Sequence, residues 1–158
     1  MLKKRLIGTI TVLNGWAVQS FGFKRYLPLG RPQTLAKNLD NWGVDEIVIQ
    51  SIDRTLLDKG PDLELLKSLG KLYLSTPLTY CGGIKNSRDA EKAIQAGCER
   101  ISIDSLLHYG VDIVYDIASS IGSQALIASV PVSIIKDKLN WYEYKKNLNK
   151  TDFGNILK

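Results

Sequence analysis

The sequence is poor in metal-binding and disulfide-forming residues and has no long apolar run, and each shortage excludes a class of protein. Its 158 residues include only 2 Cys and 1 His. They predict neither a disulfide scaffold nor a structural zinc site, which usually takes four Cys or His ligands. No apolar run reaches the ~18 residues that a membrane span requires. Without such a span or a signal-peptide cleavage site, the sequence predicts a cytoplasmic protein that contacts no membrane.

The excess of positive charge is not arranged as a nucleic-acid site. The formal net charge is +5. The last stretch, residues 136–158, has six Lys against three acidic residues, which makes it a mixed polar segment and not a basic stripe. No nucleic-acid motif accompanies it, so we expect a solvated surface there. We expect no nucleic-acid partner, no metal and no cofactor.

Short runs rich in β-branched residues alternate with stretches of helical periodicity, which is the pattern of an α/β protein. The predicted strands are Leu6–Val12, Glu46–Ile52, Pro77–Cys81, Arg100–Ile103 and Ala125–Val130. The predicted helices are Gln33–Trp42, Asp62–Leu69, Ser87–Ala96 and Val111–Ile121, which end near Gly43, Gly70, Gly97 and Gly122. Glycine at such an end permits a left-handed cap. Buried apolar strands joined through helices form a parallel sheet.

Two further features define the expected architecture. The first strand is followed by a long loop, with a turn at Asn14–Gly15 and a hairpin over Trp16–Phe23. A closed eight-unit α/β barrel typically needs about 250 residues, so the chain is too short for one. We expect a single domain over residues 1–158, a partial (β/α) barrel with about five parallel strands.

A pair of glycines follows the third predicted strand. Gly82 and Gly83 lie between Tyr80 and the helix for which Ser87 is the predicted N-cap. Paired glycines let backbone N–H groups approach a phosphate, and the following helix N-terminus favours negative charge. A tight turn that binds no ligand has the same sequence, and both interpretations stay open.

Several motifs, taken in order, resemble one family. They are Leu2–Ile7, Asn14–Gly15, Gly43–Glu46, Cys81–Ile84, Gly97–Asp104 and Gly122–Ala125. The sequence resembles the HisF family, whose members form the cyclase (lyase) subunit of imidazole glycerol phosphate synthase in histidine biosynthesis. The family includes HisF-like relatives associated with amidation of surface-polysaccharide sugars, and we expect this type over the histidine-pathway cyclase. The resemblance runs over essentially the whole chain but over only the N-terminal part of a (β/α)8 TIM barrel, which implies a truncated barrel. Whether the chain is a natural truncation or a fragment stays open.

The resemblance implies a protein partner and a gate. Family members receive ammonia from a docked glutaminase (HisH-like) subunit, through a ring of charged residues at the bottom of the barrel. Arg5, Glu46 and Arg100 match three positions of that ring. The same residue types at strand starts also suit structural ion pairs, because a semi-buried cation and carboxylate must pair.

The resemblance also implies an altered catalytic centre. The family's acid–base pair is two Asp, one at the end of the first strand and one at the end of the fifth. Those positions hold Thr11 and Pro131 here, and neither side chain titrates near neutral pH. We therefore expect an impaired cyclase, and whether the chain is an enzyme stays open.

The resemblance also implies a phosphate site. Gly83, Asp104 and Ser105 match family positions that hold one substrate phosphate, and Gly82 adjoins them. A phosphorylated small molecule is the expected ligand. Asp104 repels a phosphate unless a cation intervenes.

Three functions stay open at this point. The first is a HisF-like subunit that works with a glutamine amidotransferase. The second is a non-catalytic half-barrel remnant or interaction module, which pairs with the missing barrel half or with a second copy. The third is a small flavodoxin-like phosphate-binding protein. An opened barrel exposes inner-face residues and strand edges, so we expect a homodimer or aggregation. By alternation, the inner-face residues are Ile7, Val48, Leu78, Ile101 and Ile127.

Overall fold

Strands and helices alternate along most of the chain. A computed structural model describes residues 4–22, 24–135, 137–143, 146 and 148–150. The strands are β1 (Ile7–Leu13), β2 (Trp16–Phe21), β3 (Arg25–Gly30), β4 (Glu46–Ser51), β5 (Leu78–Cys81), β6 (Arg100–Ile103), β7 (Leu126–Ala128), β8 (Val132–Ile135), β9 (Lys138–Glu143) and β10 (Leu148–Lys150). The helices are α1 (Pro32–Asn41), α2 (Ile52–Leu56), α3 (Leu63–Gly70), α4 (Ser87–Gln95) and α5 (Val111–Ile121). No helix within the described residues is long and apolar enough to cross a membrane.

The main sheet has seven strands in the order β3-β2-β1-β4-β5-β6-β7. The five strands β1 and β4 to β7 run parallel to one another and lie in chain order. This confirms the α/β prediction and is consistent with part of a TIM-type barrel, although the described strands do not close into one. A flavodoxin-like sheet has the parallel order 2-1-3-4-5. That alternative is therefore wrong for this chain.

One face of the parallel sheet packs against the helices and forms the core. A Cβ on Gly8 of β1 would contact Leu39 of α1, and Gly8 is in register with the fully buried Ile47. The same face continues through Leu78 and Ile101, both buried. The prediction that Leu78 and Ile101 line the inner face is therefore wrong. β6 alternates polar and apolar residues, and the error was to assign its apolar side to the inside of the sheet, whereas that side faces the helices.

The opposite, inner face has mostly small polar side chains. Ile7, Val48 and Ile127 lie on it, as predicted. The register places the following polar and thiol side chains beside them: Thr9, Thr11, Gln50, Thr79, Cys81 and Ser102. The inner face is therefore not the exposed apolar surface that the sequence predicted.

The long loop after β1 forms a hairpin that extends the sheet. The turn at Asn14–Gly15 leads into β2, which pairs antiparallel with the last two residues of β1 and with β3. The predicted hairpin over Trp16–Phe23 is thus shorter than the observed pair of strands, and Phe23 lies outside the described residues.

A small antiparallel sheet of β8, β9 and β10 follows β7. The sequence predicted no strands there. This sheet contacts the rest of the protein through Trp141 of β9, whose ring stacks on His108 with 3.7 Å between the ring centroids. Both side chains are buried. His108 ends a 3₁₀ turn that begins at Ser105.

Two predicted helix ends are wrong. Gly70 is the last residue of α3 and has no positive φ, and the left-handed residue after that helix is Tyr73, with φ 49°. Asn86, not Ser87, caps α4, because its side chain accepts a hydrogen bond from the Asp89 N–H. The left-handed glycines after the other predicted helices are present at Gly43, Gly97 and Gly122.

We expect the 158-residue polypeptide to associate through the outer edge of β7, which pairs only with β6 among the described strands. The Ser129 N–H donates to the Ile103 carbonyl at 2.8 Å. Backbone groups alternate along a strand, so the Ala128 N–H points away from β6. Such an edge favours pairing with another chain. Sedimentation velocity at micromolar concentration should detect dimers. Ala128→Pro, which removes this N–H alone, should shift the protein towards monomer, and equal dimer fractions would contradict pairing through β7.

Candidate functional site

The three predicted gate residues meet at the N-terminal edge of the parallel sheet. Glu46 begins β4, and one of its carboxylate oxygens lies 2.9 Å from Nη1 of Arg100 and 3.1 Å from Nη2 of Arg5. The other oxygen accepts a hydrogen bond from the Thr79 hydroxyl. The Glu46 side chain is only 3% exposed, whereas those of Arg5 and Arg100 are 45% and 33% exposed. A buried carboxylate is thus neutralised by two cations that still contact solvent.

The geometry of β1 fixes where Arg5 lies. The Leu6 N–H donates to the Asp45 carboxylate at 2.7 Å, and the Asp45 N–H donates to the Leu6 carbonyl at 2.8 Å. Arg5 also donates to the Asp45 carbonyl at 3.3 Å. These bonds hold the start of β1 beside the start of β4, so the Arg5 side chain reaches Glu46.

Large apolar side chains are exposed at the same edge. Trp42 follows α1, Tyr73 follows α3, and Leu6 precedes β1. Their exposed fractions are 75%, 92% and 66%. Large apolar side chains exposed together on one surface are typical of a site that binds another protein.

Asp40 of α1 holds the loop that precedes β5 at this edge. Its Oδ1 accepts hydrogen bonds from the hydroxyls and N–H groups of Ser75 and Thr76, at 2.7–3.0 Å. The Thr76 hydroxyl, followed by that of Ser75, lowers the pKa of Asp40 below its usual value. The loop that carries Tyr73 is therefore tied to α1.

The four predicted phosphate-site residues line one small cleft at the opposite, C-terminal edge. Gly82, Gly83, Asp104 and Ser105 line a small cleft that is partly open to solvent and has room for about one water molecule. The Asp104 carboxylate accepts a hydrogen bond from the Ser105 N–H. The structure thus brings together residues from the ends of β5 and β6.

The cleft also contains a residue that sequence reasoning missed, Thr55 of α2. Its hydroxyl oxygen accepts the hydrogen bond of the Gly83 N–H at 2.9 Å. A Cβ on Gly83 would overlap the Gly60 carbonyl, and one on Gly82 would overlap the Ser51 carbonyl. The glycine pair therefore allows the segment after β4 to approach closely. A threonine in a five-residue helix gives no sequence signal for such a contact.

Thr11 and Pro131, to which the resemblance assigns the positions of the catalytic carboxylates, lie at the same edge. Thr11 is near the end of β1 and in register with Gln50. Pro131 follows β7, and its carbonyl accepts from the Tyr142 N–H at 2.9 Å. A further carboxylate, that of Asp53 in α2, is buried near the turn that follows β1. It is 8% exposed and accepts from the Asn14 N–H at 3.4 Å.

The thiol on the inner face is not an activated nucleophile. Burial raises the pKa of Cys81 to about 12, and the nearby charge of Asp104 acts in the same direction. A thiol with such a pKa stays protonated at neutral pH and reacts poorly. Within the described ranges, no group of three or more His, Cys, Asp or Glu side chains is arranged to hold a metal ion.

Comparison with known proteins identifies the family. The model of the histidine biosynthesis protein family matches residues 5–152. The chain belongs to this family. A Vibrio vulnificus (strain YJ016) protein, provisionally named imidazole glycerol phosphate synthase subunit hisF2, is 34% identical over 92% of this chain and 53% of its own length. The HisF subunits of this synthase from Dictyoglomus thermophilum and Natranaerobius thermophilus are 32% and 31% identical, over 92% and 82% of this chain.

The chain spans about half the length of the curated relatives that it matches, since the matched regions cover 53%, 57% and 51% of those three proteins. The HisF resemblance found in the sequence is thereby confirmed.

We expect Glu46→Gln to destabilise the fold by about 1–3 kcal/mol. Removing the charge leaves Arg5 and Arg100 facing each other without a counter-ion, and breaking a buried pair costs about 3–5 kcal/mol. Solvent around the two arginines reduces that cost. Urea unfolding measures the change. Glu64→Gln, on an exposed position of α3, is the matched control and should have almost no effect. Equal stabilities of the two variants would contradict the central role of Glu46.

Proposed function

We propose that the chain is a synthase-type subunit that takes ammonia from a docked glutaminase and works on a phosphorylated small molecule. The observation that carries this proposal is the buried Glu46, held between Arg5 and Arg100 at the N-terminal edge. The HisF proteins to which the chain is similar are named as subunits of imidazole glycerol phosphate synthase. A subunit acts together with another polypeptide, and this edge is where we propose that the partner binds.

The charge cluster suits a passage for ammonia. Ammonia is small and neutral, so it needs only a narrow opening and no counter-charge. The Arg5–Glu46 pair is the more solvent-exposed of the two ion pairs and is therefore the weaker barrier. Beyond it, the inner face offers the hydroxyls of Thr9 and Thr79, to which ammonia can hydrogen-bond.

The exposed apolar side chains at this edge support docking of the glutaminase there. Trp42, Tyr73 and Leu6 lie around the cluster in loops that precede strands. Aromatic residues dominate binding energy when a partner desolvates them. Closing the interface would also exclude water from the gate, which strengthens the ion pairs inside it.

At the other edge, we propose that a phosphate group binds between Gly82–Gly83 and Ser105. N–H and hydroxyl groups are suitable phosphate donors. Asp104 opposes a dianion by Coulomb repulsion, so the affinity should be modest. The replaced carboxylates at Thr11 and Pro131 favour amidation of a surface-polysaccharide sugar, in the cytoplasm, over the cyclase reaction of histidine biosynthesis.

Glutaminase binding tests the first part of the proposal. A glutaminase subunit of an imidazole glycerol phosphate synthase should bind the chain in a calorimetric titration. Trp42→Ala and Tyr73→Ala should each weaken binding by about tenfold, since interface aromatics of this kind are worth more than 1 kcal/mol. Both side chains are mostly exposed in the free chain, so folding should not change.

Tyr115→Ala is the matched control for that titration. Tyr115 is 70% exposed on α5, away from the loops of the N-terminal edge, and its removal should leave the affinity unchanged. Equal losses for Tyr115→Ala and Tyr73→Ala would contradict docking at this edge. Absence of any binding would instead favour the half-barrel interaction module.

We expect no ammonia-dependent cyclase turnover above background from this chain. Acid and base groups typically contribute 10²–10⁴-fold each, and Thr11 and Pro131 supply neither. Following imidazole product formation from the cyclase substrate with excess ammonium checks this. A full-length HisF relative, assayed in parallel, is the positive control. Turnover by this chain at the rate of the relative would contradict the assignment of an impaired cyclase.

A further inference from the structure

The segment after β4 lies directly on the glycine turn of the proposed phosphate site. This cover segment, residues 52–62, contains α2 and the turn that leads into α3. Its Thr55 hydroxyl accepts the Gly83 N–H at 2.9 Å. Its Gly60 carbonyl occupies the space that a Cβ on Gly83 would need. The contact is therefore too close for any side chain at position 83.

Arg54 fixes the shape of the cover segment. Its Nε donates to the Gly60 carbonyl at 2.8 Å, and its Nη2 donates to the carbonyls of Pro61 at 3.0 Å and Lys59 at 3.3 Å. One guanidinium thus satisfies three consecutive carbonyls. Because these bonds are internal to the segment, residues 54–61 are held as one unit that need not unfold when it moves.

An ion pair fastens this unit to the far side of the glycine turn. The Lys85 ammonium lies 2.9 Å from the Asp58 carboxylate and 2.9 Å from the Asp58 carbonyl. Their side chains are 40% and 76% exposed. An exposed pair of this kind contributes little to stability and is easily exchanged. This ion pair can therefore break at a small cost in free energy.

We propose that the cover segment is an internal occupant of the phosphate site, with the Thr55 hydroxyl oxygen standing where a phosphate oxygen binds. The inference rests on the proposed phosphate site. A backbone N–H has one hydrogen, so the Gly83 donor serves either Thr55 or the ligand at full strength. Binding of a phosphate monoester therefore requires Thr55 to withdraw.

This competition makes the site selective for charge. A hydrogen bond from an N–H to a charged oxygen is roughly twice as strong as one to a neutral oxygen. A phosphate dianion can therefore displace the Thr55 hydroxyl. The hydroxyl of a neutral sugar cannot, because its hydrogen bond to the Gly83 N–H is no stronger than that of Thr55. Thr55 is thus a specificity-determining residue that keeps unphosphorylated ligands out of the cleft.

Titration with inorganic phosphate, followed through the Gly83 amide resonance and by calorimetry, tests the inference. Thr55→Ala removes the competing hydroxyl and should tighten binding by about 3–10-fold, the equivalent of one ordinary hydrogen bond. Thr55→Ser keeps the hydroxyl and should bind phosphate as the unmodified chain does. In the absence of phosphate, the Gly83 amide should exchange with solvent faster in Thr55→Ala alone.

A second pair of variants tests the Asp58–Lys85 ion pair without changing a residue that lines the cleft. Asp58→Asn breaks the ion pair with Lys85 and should tighten phosphate binding by up to about fivefold. Asp116→Asn, on an exposed position of α5, removes the same charge and is the matched control. A larger effect of Asp58→Asn supports the inference.

The outcomes separate this inference from the proposed function. If the unmodified chain binds phosphate and Thr55→Ala binds it equally or more weakly, Thr55 does not compete with the ligand. That result would overturn this inference but leave the proposed phosphate site in place. Failure of every variant, Thr55→Ala included, to bind phosphate would overturn both. If Asp58→Asn and Asp116→Asn change the phosphate affinity equally, the effect comes from the change in net charge alone. That result would contradict a role for the Asp58–Lys85 ion pair.

Discussion

The buried carboxylate of Glu46 is the constraint on which the arrangement of the parallel strands depends. A charge that is nearly removed from water must be neutralised and hydrogen-bonded, or it strongly destabilises the fold. Its partners belong to three other strands or their starts: Arg5 before β1, Thr79 on β5 and Arg100 at the start of β6. One side chain therefore aligns the starts of four neighbouring strands. The proposed ammonia gate would be the same group of atoms that sets the register of the sheet.

The two ends of these strands differ in how they are closed. At the N-terminal edge, charged groups meet and the surrounding aromatic side chains face solvent. At the C-terminal edge, backbone approaches backbone over Gly82 and Gly83, and the cover segment fills the space. Opening the first end requires ion pairs to part, whereas opening the second requires a chain segment to move. In our proposal, ammonia uses the first end and the phosphorylated ligand uses the second.

Much of this architecture could be predicted from the sequence, and the failures have physical causes. β4 and β6 are β-branched runs, and the Asn14–Gly15 turn is a local signal, so these elements lie where expected. The face assignment of Leu78 and Ile101 failed because we placed the apolar side of each strand inside the barrel. In these strands the helices cover the apolar side, and Thr79, Arg100 and Ser102 lie on the inner face. Thr55 could not be found, since its contact with Gly83 depends on tertiary packing. β8 was missed although its sequence, Val132–Ile135, is rich in β-branched residues, because it directly follows a proline and precedes a mixed polar segment that we interpreted as a solvated surface.

The stacking of Trp141 on His108 links the small antiparallel sheet to the C-terminal cleft. His108 lies in the same four-residue 3₁₀ turn as Ser105, which lines that cleft. The Trp141 ring therefore packs against the turn that carries Ser105, so the small sheet supports one wall of the cleft. Strands that share no backbone pairing with the main sheet thereby contribute to the shape of the proposed ligand site.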